Sequence, residues 1–269
     1  MTAPALSIVM PAYNSAGYID RNVGVVLDFF RDAGLDGEVI VADDGSVDGT
    51  PDAVRAAANV HVLRLRHAGK GSALRAGMTE ARGEVRGFTD ADLPYGIDAI
   101  PLALRYIRER RYHAVIGDRT LPGSSYPKTG LLRGALSGLA SFVFRTLVTG
   151  GIYDTQCGFK FFRGDVAGEV FRIARIDGFA IDVEVIYLLL KYRLDLKRIP
   201  VQFKRNAPSS VRVIRDSVGS VRDIGSIRLN LALGRYRSPK LLGLLQAELA
   251  ADMVAAGPPV VGSTVEGPP

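Results

Sequence analysis

The sequence predicts an α/β protein: a mostly parallel, Rossmann-like sheet with helices on both faces. Two observations predict it. Short apolar runs alternate with amphipathic stretches as far as Gly117, and three of those runs end in a polar tip containing Asn, Gly or Asp. Strands that alternate with helices in this way pair in parallel and need cover on both sides. A chain of 269 residues with 47% hydrophobic and 23% charged residues can bury such a core in one domain.

Taken in order, Leu6–Met10 reads as a buried strand and Ile19–Asp32 as a helix with an apolar stripe at Val23, Val26, Leu27 and Phe30. Glu38–Asp43 is a second strand. Thr50 as N-cap and Pro51 at the first helical position open a helix expected to reach Ala58. His61–Leu65 is the third strand, Ser72–Ala81 a helix, and Val85–Thr89 the fourth strand. Ile97–Arg110 is helical and His113–Gly117 is the fifth strand. Further on, helices are expected near Leu131–Val148 and Ile181–Tyr192, with a strand over Leu196–Phe203. Residues 1–236 form one domain. Residues 237–269 hold a short helix and a Pro/Gly-rich tail, Gly257–Pro269, whose composition favours disorder. No internal repeat is visible.

Cys157 is the single cysteine, which excludes an internal disulfide and suits a reducing cytoplasm. The apolar run Leu6–Met10 follows no basic segment and is too short for a signal peptide core. Arginines interrupt the other apolar stretches, so no transmembrane span is expected. The net charge of +6 is concentrated. Lys204, Arg205, Arg212, Arg215, Arg222, Arg228, Arg235 and Arg237 stand against Asp216 and Asp223, so eight minus two accounts for the whole excess. Val218, Val221, Ile224, Ile227, Leu231 and Leu233 are interleaved at helical spacing. Such a segment fits an anionic membrane surface or a phosphate-bearing ligand, or else a core helix with a solvated basic face. No motif or stacking aromatics accompany the charge, so nucleic acid is not expected as a partner.

The strand ends carry the chemistry. The first strand runs into Pro11-Ala12-Tyr13-Asn14, the second into Asp43-Asp44-Gly45-Ser46, and the fourth into Asp90-Ala91-Asp92. In a parallel sheet these tips share the rim where ligands bind. Tyr13 offers an aromatic wall for a base, and Asp43 or Asp44 can accept hydrogen bonds from a base or a ribose. Of Asp90 and Asp92, one can reach a ribose or a water and the other a hard divalent cation, Mg²⁺ or Mn²⁺, bridging a diphosphate. Singly, Asp-Asp-Gly-Ser also fits a capped turn and Asp-x-Asp a solvated loop. Their joint placement favours a site.

Ser7-Ile8-Val9-Met10-Pro11-Ala12-Tyr13-Asn14, the segment Ala42–Thr50 and Asp90-Ala91-Asp92 resemble family-2 glycosyltransferases of the GT-A fold. Gly69-Lys70-Gly71-Ser72 resembles the family's fourth nucleotide-side segment. Asp154-Thr155-Gln156-Cys157-Gly158-Phe159-Lys160, followed by Ala180-Ile181-Asp182-Val183-Glu184, resembles the dolichyl-phosphate β-glucosyltransferase branch, a neighbour of the dolichyl-phosphate mannose synthases. The resemblance covers about residues 5–236 and implies a metal-dependent, inverting transfer of a hexose. The donor would be a UDP- or GDP-hexose, the acceptor a polyprenyl (dolichyl-type) phosphate at the cytoplasmic face of a membrane, with the protein attached peripherally.

The same resemblance implies residue roles. Pro11, Ala12, Tyr13, Asp43, Asp44, Lys70, Asp90 and Ala91 would hold the nucleotide sugar, and Asp92 with Asp90 the metal. Arg119, Arg133 and Ser137 would hold the acceptor phosphate, and Asp92, Arg119, Arg133 and Asp154 would form the catalytic set. Asp154 either positions an acceptor, acts as a base, or caps the Thr155–Gly158 turn. Of Asp182 and Glu184, two apart on a helix, one is expected to be structural. Cys157 reads as a packing residue and His61, His67 and His113 as chemically silent.

Three positions depart from the pattern. Pro94 stands where mannose-type relatives carry a carboxamide ligand. Ser209-Ser210-Val211 replaces a Ser-Lys-Leu. The N-terminal membrane anchor of eukaryotic relatives is not seen. Two alternatives follow: a glycosyltransferase with a soluble acceptor, and a non-catalytic nucleotide-sugar-binding protein. A nucleotidyltransferase is disfavoured, for no Gly-rich N-terminal loop with following Arg and Lys is present.

Overall fold

Along the first strand Ile8 and Met10 face one way and Val9 the other, and all three are fully buried. That pattern places the strand inside a sheet covered on both faces. The structure is a computed structural model describing residues 3–125, 152, 154–204, 223 and 225–256. Its strands are β1 (Leu6–Ala12), β2 (Gly37–Asp43), β3 (Val60–Arg64), β4 (Val85–Thr89), β5 (Ala114–Asp118), β6 (Phe159–Arg163) and β7 (Leu196–Pro200). They form one seven-stranded sheet in the order β3-β2-β1-β4-β6-β5-β7. β1 pairs in parallel with β2 and β4, β2 with β3, and β5 with β7, while β6 runs antiparallel to both β4 and β5.

The helices are α1 (Ile19–Asp32), α2 (Thr50–Ala53), α3 (Lys70–Glu80), α4 (Ile100–Arg108), α5 (Gly164–Ile173), α6 (Ile181–Lys191) and α7 (Pro239–Ala256). Val23, Val26 and Phe30 of α1 and Ile100, Ala103 and Ile107 of α4 pack on the face carrying Ile8, Met10 and Phe161. On the other face, α3, α5 and α6 bring Leu74, Met78, Val170 and Leu188 against Val9, Phe88 and Phe162. Among the described residues no helix is long and apolar enough to cross a membrane.

Several expectations change. β6 and α5 are absent from the sequence reading, because Phe-Lys-Phe-Phe-Arg is short and puts a lysine where a buried strand should be apolar. The helix expected from Thr50 to Ala58 stops at Ala53, with Gly49 rather than Thr50 as its N-cap. Val54 is already extended, and Arg55 is drawn outward by Asp20, which accepts its backbone N–H at 2.9 Å and its Nε–H at 2.8 Å. The seventh strand ends at Pro200 rather than Phe203, leaving one isolated bridge between Ser125 and Gln202. The expected helix at Leu131–Val148, the tail from Gly257 and the basic positions Arg205, Arg212, Arg215 and Arg222 lie outside the described residues.

Behind a helical segment at 225–232, α7 is an eighteen-residue helix where a short one was expected. Buried acceptors anchor this C-terminal part. Ser238 Oγ donates to Glu169 at 2.5 Å and Tyr236 donates its hydroxyl to Glu184. His113 Nδ1 accepts the Asp195 N–H at 2.9 Å, so its Nε2–H is the donor to Glu248 at 2.7 Å. Glu184 also accepts the backbone N–H groups of Arg175 and Ile176 at 2.9 Å. Replacing it by alanine strands several donors, some of them buried. Glu184→Ala should therefore cost about 2–4 kcal/mol. In thermal melts that corresponds to a fall of roughly 5–15 °C.

Candidate active site

The antiparallel strand decides where the site is. Thr89, the last residue of β4, pairs with Phe159, the first of β6. The segment Asp154–Gly158 is thereby delivered to the rim where β1, β2 and β4 end. Gly158 lies so close to Asp90 that a Cβ there would overlap the Asp90 carboxylate. Glycine is required by proximity rather than by backbone conformation.

The first two tips are tied together. Asn14 N–H donates to Ser46 Oγ at 2.8 Å, and Val47 N–H to Asn14 Oδ1 at 3.0 Å. Asp43, buried at the end of β2, accepts from Ser46 through its backbone N–H at 3.2 Å and its hydroxyl. Asp44 is used up locally. Its carboxylate takes the Ala68 N–H at 2.8 Å and the Gly69 N–H at 3.0 Å, while His67 Nδ1 donates to the Asp44 backbone carbonyl at 3.0 Å and lies 2.9 Å from the carboxylate. Held in this way, His67 stacks on Tyr13 with centroids 4.4 Å apart and planes inclined by 20°. The sequence reading gave His67 no role; the structure puts it in the aromatic wall. Pro11 is half-buried, whereas Ala12 and Ala91 turn their methyls into the core and present backbone only.

At the third tip, Asn22 Nδ2 donates to the Ala91 carbonyl at 2.8 Å, holding the Asp90–Asp92 turn against α1. Lys70 Nζ, from the start of α3, lies 2.7 Å from Asp90 Oδ1 and 3.3 Å from Asp182 Oδ2. Burial works against the Lys70 charge, but Asp182 and Asp90 outweigh it and raise its pKa. Burial and the neighbouring Asp90 raise the pKa of Asp92. Among the described residues no third carboxylate, histidine or cysteine joins the pair to make a metal cluster. Two neighbouring carboxylates under like-charge strain would nonetheless fit a hard cation, which prefers oxygen ligands.

The fourth group comes from β5 and the loop before β6. Asp154 accepts from Arg119 three times: the backbone N–H at 2.7 Å, Nε at 2.8 Å and Nη2 at 2.7 Å. Of the three roles open for Asp154, capping the Thr155–Gly158 turn is not what its carboxylate does in the structure. It clamps Arg119. Burial opposes the Arg119 charge, yet Asp154 raises its pKa. Cys157, buried beside this pair, has its thiol pushed up to about 12 by burial, then by Asp154, which suits packing and not nucleophilic attack. Tyr95 and Cys157 both sense Asp90, Asp154 and Arg119, so the two clusters share one electrostatic neighbourhood. Arg133 and Ser137 lie outside the described residues. Lys160 and Asp182, at the back of the rim, were not among the expected site residues; a lysine flanked by phenylalanines was the available signal.

Residues 7–171 match the family model for Glycosyl transferase family 2. A dolichyl-phosphate beta-glucosyltransferase from Dictyostelium discoideum is 29% identical over 250 residues, 86% of this chain and 76% of its own length. The Drosophila melanogaster protein of that name is 30% identical over 251 residues, 86% and 77%. Among solved structures, glucosyl-3-phosphoglycerate synthase from Mycobacterium tuberculosis, in complex with Mn²⁺, uridine diphosphate and glucosyl-3-phosphoglycerate, superposes with TM-score 0.58. It is 19% identical and covers 84% of this chain and 79% of its own. The mannosyltransferase PcManGT from Pyrobaculum calidifontis, with GDP-Man and Mn²⁺, gives TM-score 0.52 at 21% identity over 96% and 77%.

Gly158 gives this geometry a direct check. In Gly158→Ala the new methyl must push the Asp90 carboxylate off Lys70. Overpacking of this kind costs about 1–3 kcal/mol. The variant should melt lower than wild type. An unchanged melting temperature would mean that the Asp90 carboxylate moves aside at no cost.

Proposed function

This chain belongs to glycosyltransferase family 2, and we propose that it transfers a hexose, with inversion, from a UDP- or GDP-linked donor to a polyprenyl phosphate of the dolichyl type. One observation carries the proposal: a single rim gathers Tyr13, Asp43, Lys70 and the Asp90–Asp92 pair beside an Arg119 clamped by Asp154. Relatives alike over 86% of this chain are dolichyl-phosphate beta-glucosyltransferases, which supports the acceptor class.

The base lies on the Tyr13–His67 wall. The Asp44 carboxylate is turned to the Ala68 and Gly69 N–H groups, whereas Asp43 uses two of about four acceptor positions on its neighbour Ser46 and remains available to the nucleoside. Lys70 meets donor charge next to Asp90. Asp92 and Asp90 would hold Mg²⁺ or Mn²⁺, whose chemistry here is to neutralise negative charge on the departing diphosphate. A phosphate oxygen of the acceptor attacks the anomeric carbon from the face opposite the diphosphate. The new carbon–oxygen bond forms as the bond to the β-phosphate oxygen breaks, and the electron pair leaves with the nucleoside diphosphate. An acceptor phosphate is anionic near neutral pH, so no side chain need remove a proton. The protein contributes orientation, cationic contacts and exclusion of water. Arg119, with Nε and Nη2 fixed by Asp154, presents a guanidinium of set orientation to the acceptor side.

For the acceptor, exposed Leu229, Leu233 and Leu242 alternate with Arg228, Arg235, Arg237 and Lys240. An apolar surface edged by cations suits peripheral contact with anionic lipid on the cytoplasmic side.

Incubating purified protein with UDP- and GDP-hexoses and polyprenyl phosphate should yield the lipid-linked sugar. Chelator or Asp92→Ala should abolish turnover, and because Asp92 is only half-buried at the rim and is repelled by Asp90, the melting temperature should barely move. Transfer only to soluble acceptors, or full activity in chelator, would overturn the lipid acceptor or the metal respectively. Each arginine near anionic lipid contributes about 1 kcal/mol at modest salt. Arg228→Gln with Arg235→Gln should therefore reduce flotation with anionic vesicles by roughly an order of magnitude or more. Wild-type protein that stays unbound at low salt would count against the membrane surface.

A further inference from the structure

We infer that Asp182 is a positioning residue: shared between two lysines, it holds Lys70 against Asp90 and so sets how Asp90 meets the donor, an inference that rests on reading the rim as a nucleotide-sugar site. Asp182 and Lys160 are 2% and 0% exposed, and neither touches the rim surface. Lys160 Nζ pairs with Asp182 Oδ1, donates to the Cys157 carbonyl at 2.8 Å and lies 5.3 Å from the Phe88 ring centre. The other oxygen, Asp182 Oδ2, is 3.3 Å from Lys70 Nζ, which reaches Asp90 Oδ1 at 2.7 Å. The result is a string of alternating charge, Lys160–Asp182–Lys70–Asp90, running from the core to the rim through β6, α6, α3 and the end of β4.

Each link has a physical purpose. A lysine stem has about 2 kcal/mol of rotamer freedom, so Lys70 beside Asp90 alone would wander. Asp182 removes that freedom from behind. Its place in the first turn of α6 suits a carboxylate, because the helix dipole is positive there. Burial works to raise the Asp182 pKa, but the charges of Lys160 and then Lys70 outweigh it and hold it below the usual range. Lys160 answers a further need. When Lys70 leans toward incoming diphosphate, Asp182 keeps one cation and is never a lone buried anion. Two lysines against Asp182, Asp90 and Asp92 leave the rim one negative charge in excess, which favours a cation there.

Asp182→Asn alone strands Lys160 in the core and can unfold the chain for that reason. The informative variant pairs Asp182→Asn with Lys160→Met, which removes both charges and keeps the core neutral. On the full chain, calorimetry with UDP and with GDP in Mn²⁺, together with thermal melts, reads the result. The paired variant should melt within a few degrees of wild type yet bind nucleotide about 10- to 100-fold more weakly, the usual effect of losing a residue that orients a ligand-holding group. Lys70→Met should lose a similar factor, and adding it to the paired variant should lose little more. Wild-type affinity in the paired variant, or full additivity with Lys70→Met, would overturn the inference and make the pair a core element only. If the paired variant melts early, Asp182→Glu keeps the charge, moves it by one methylene, and should show the same loss, with wild-type affinity again overturning the inference. Failure of the wild type to bind either nucleotide would instead bring down the donor-site reading, and this inference with it.

Discussion

The antiparallel seam between β4 and β6 is the constraint on which the rest of the molecule rests. Six strands run one way; β6, wedged between β4 and β5, runs the other. Reversal is what brings the start of β6 and the loop before it to the carboxyl end of β4. A parallel strand in that slot would deliver its loop to the opposite edge, and Asp154, Cys157 and Gly158 would sit a strand's length from Asp90. The seam also dictates small residues. Gly87 faces Phe161 across it, where any Cβ would overlap the ring. The Phe-rich strand therefore closes the core on both faces, at the cost of glycine at the points of closest approach.

Charge at the rim is arranged by burial depth. Asp44, Asp118 and Glu38 are buried and spent on backbone or side-chain donors, so they shape loops and sheet edges. Asp92, half-buried, retains the like-charge strain of its neighbour Asp90. Asp154 and Arg119 cancel each other while fixing a guanidinium plane. The arrangement separates carboxylates that hold the protein from those that face a ligand, a distinction that composition does not reveal.

What was legible in the sequence depended on range. The strands β1, β2 and β4 and their tips could be read because apolar runs and the polar residues that end them are local. Helix α1 was found to the residue through its stripe. The structural partners were not legible, because they are set by tertiary contact. Asp44 and Asp43 look interchangeable in sequence, yet one is turned to the backbone of the 67–69 loop and the other to Ser46. Lys160 appeared to be part of a motif and is a core cation only because Asp182, twenty-two residues on, comes to meet it. Likewise Asp182 and Glu184 part company through their surroundings: one neutralises lysines, the other gathers backbone donors and the Tyr236 hydroxyl. Strand β6 was missed for the same reason, since a lysine at its second position hides a buried strand from any hydrophobic pattern.

The wedged strand has a consequence for synthesis. On the ribosome the chain emerges from its N-terminus, and β3, β2, β1 and β4 can zip together as soon as β4 is out. Strand β5 cannot join them, because its sheet partners are β6 and β7. Until residues 159–163 appear, β4 has an unpaired edge and β5 has no place in the sheet. An open edge is an invitation to intermolecular pairing, and pairing across long sequence separation is slow. The Phe-rich β6 is thus the last wedge into a half-built sheet, and the nascent chain is most exposed to aggregation in the interval between β5 and β6.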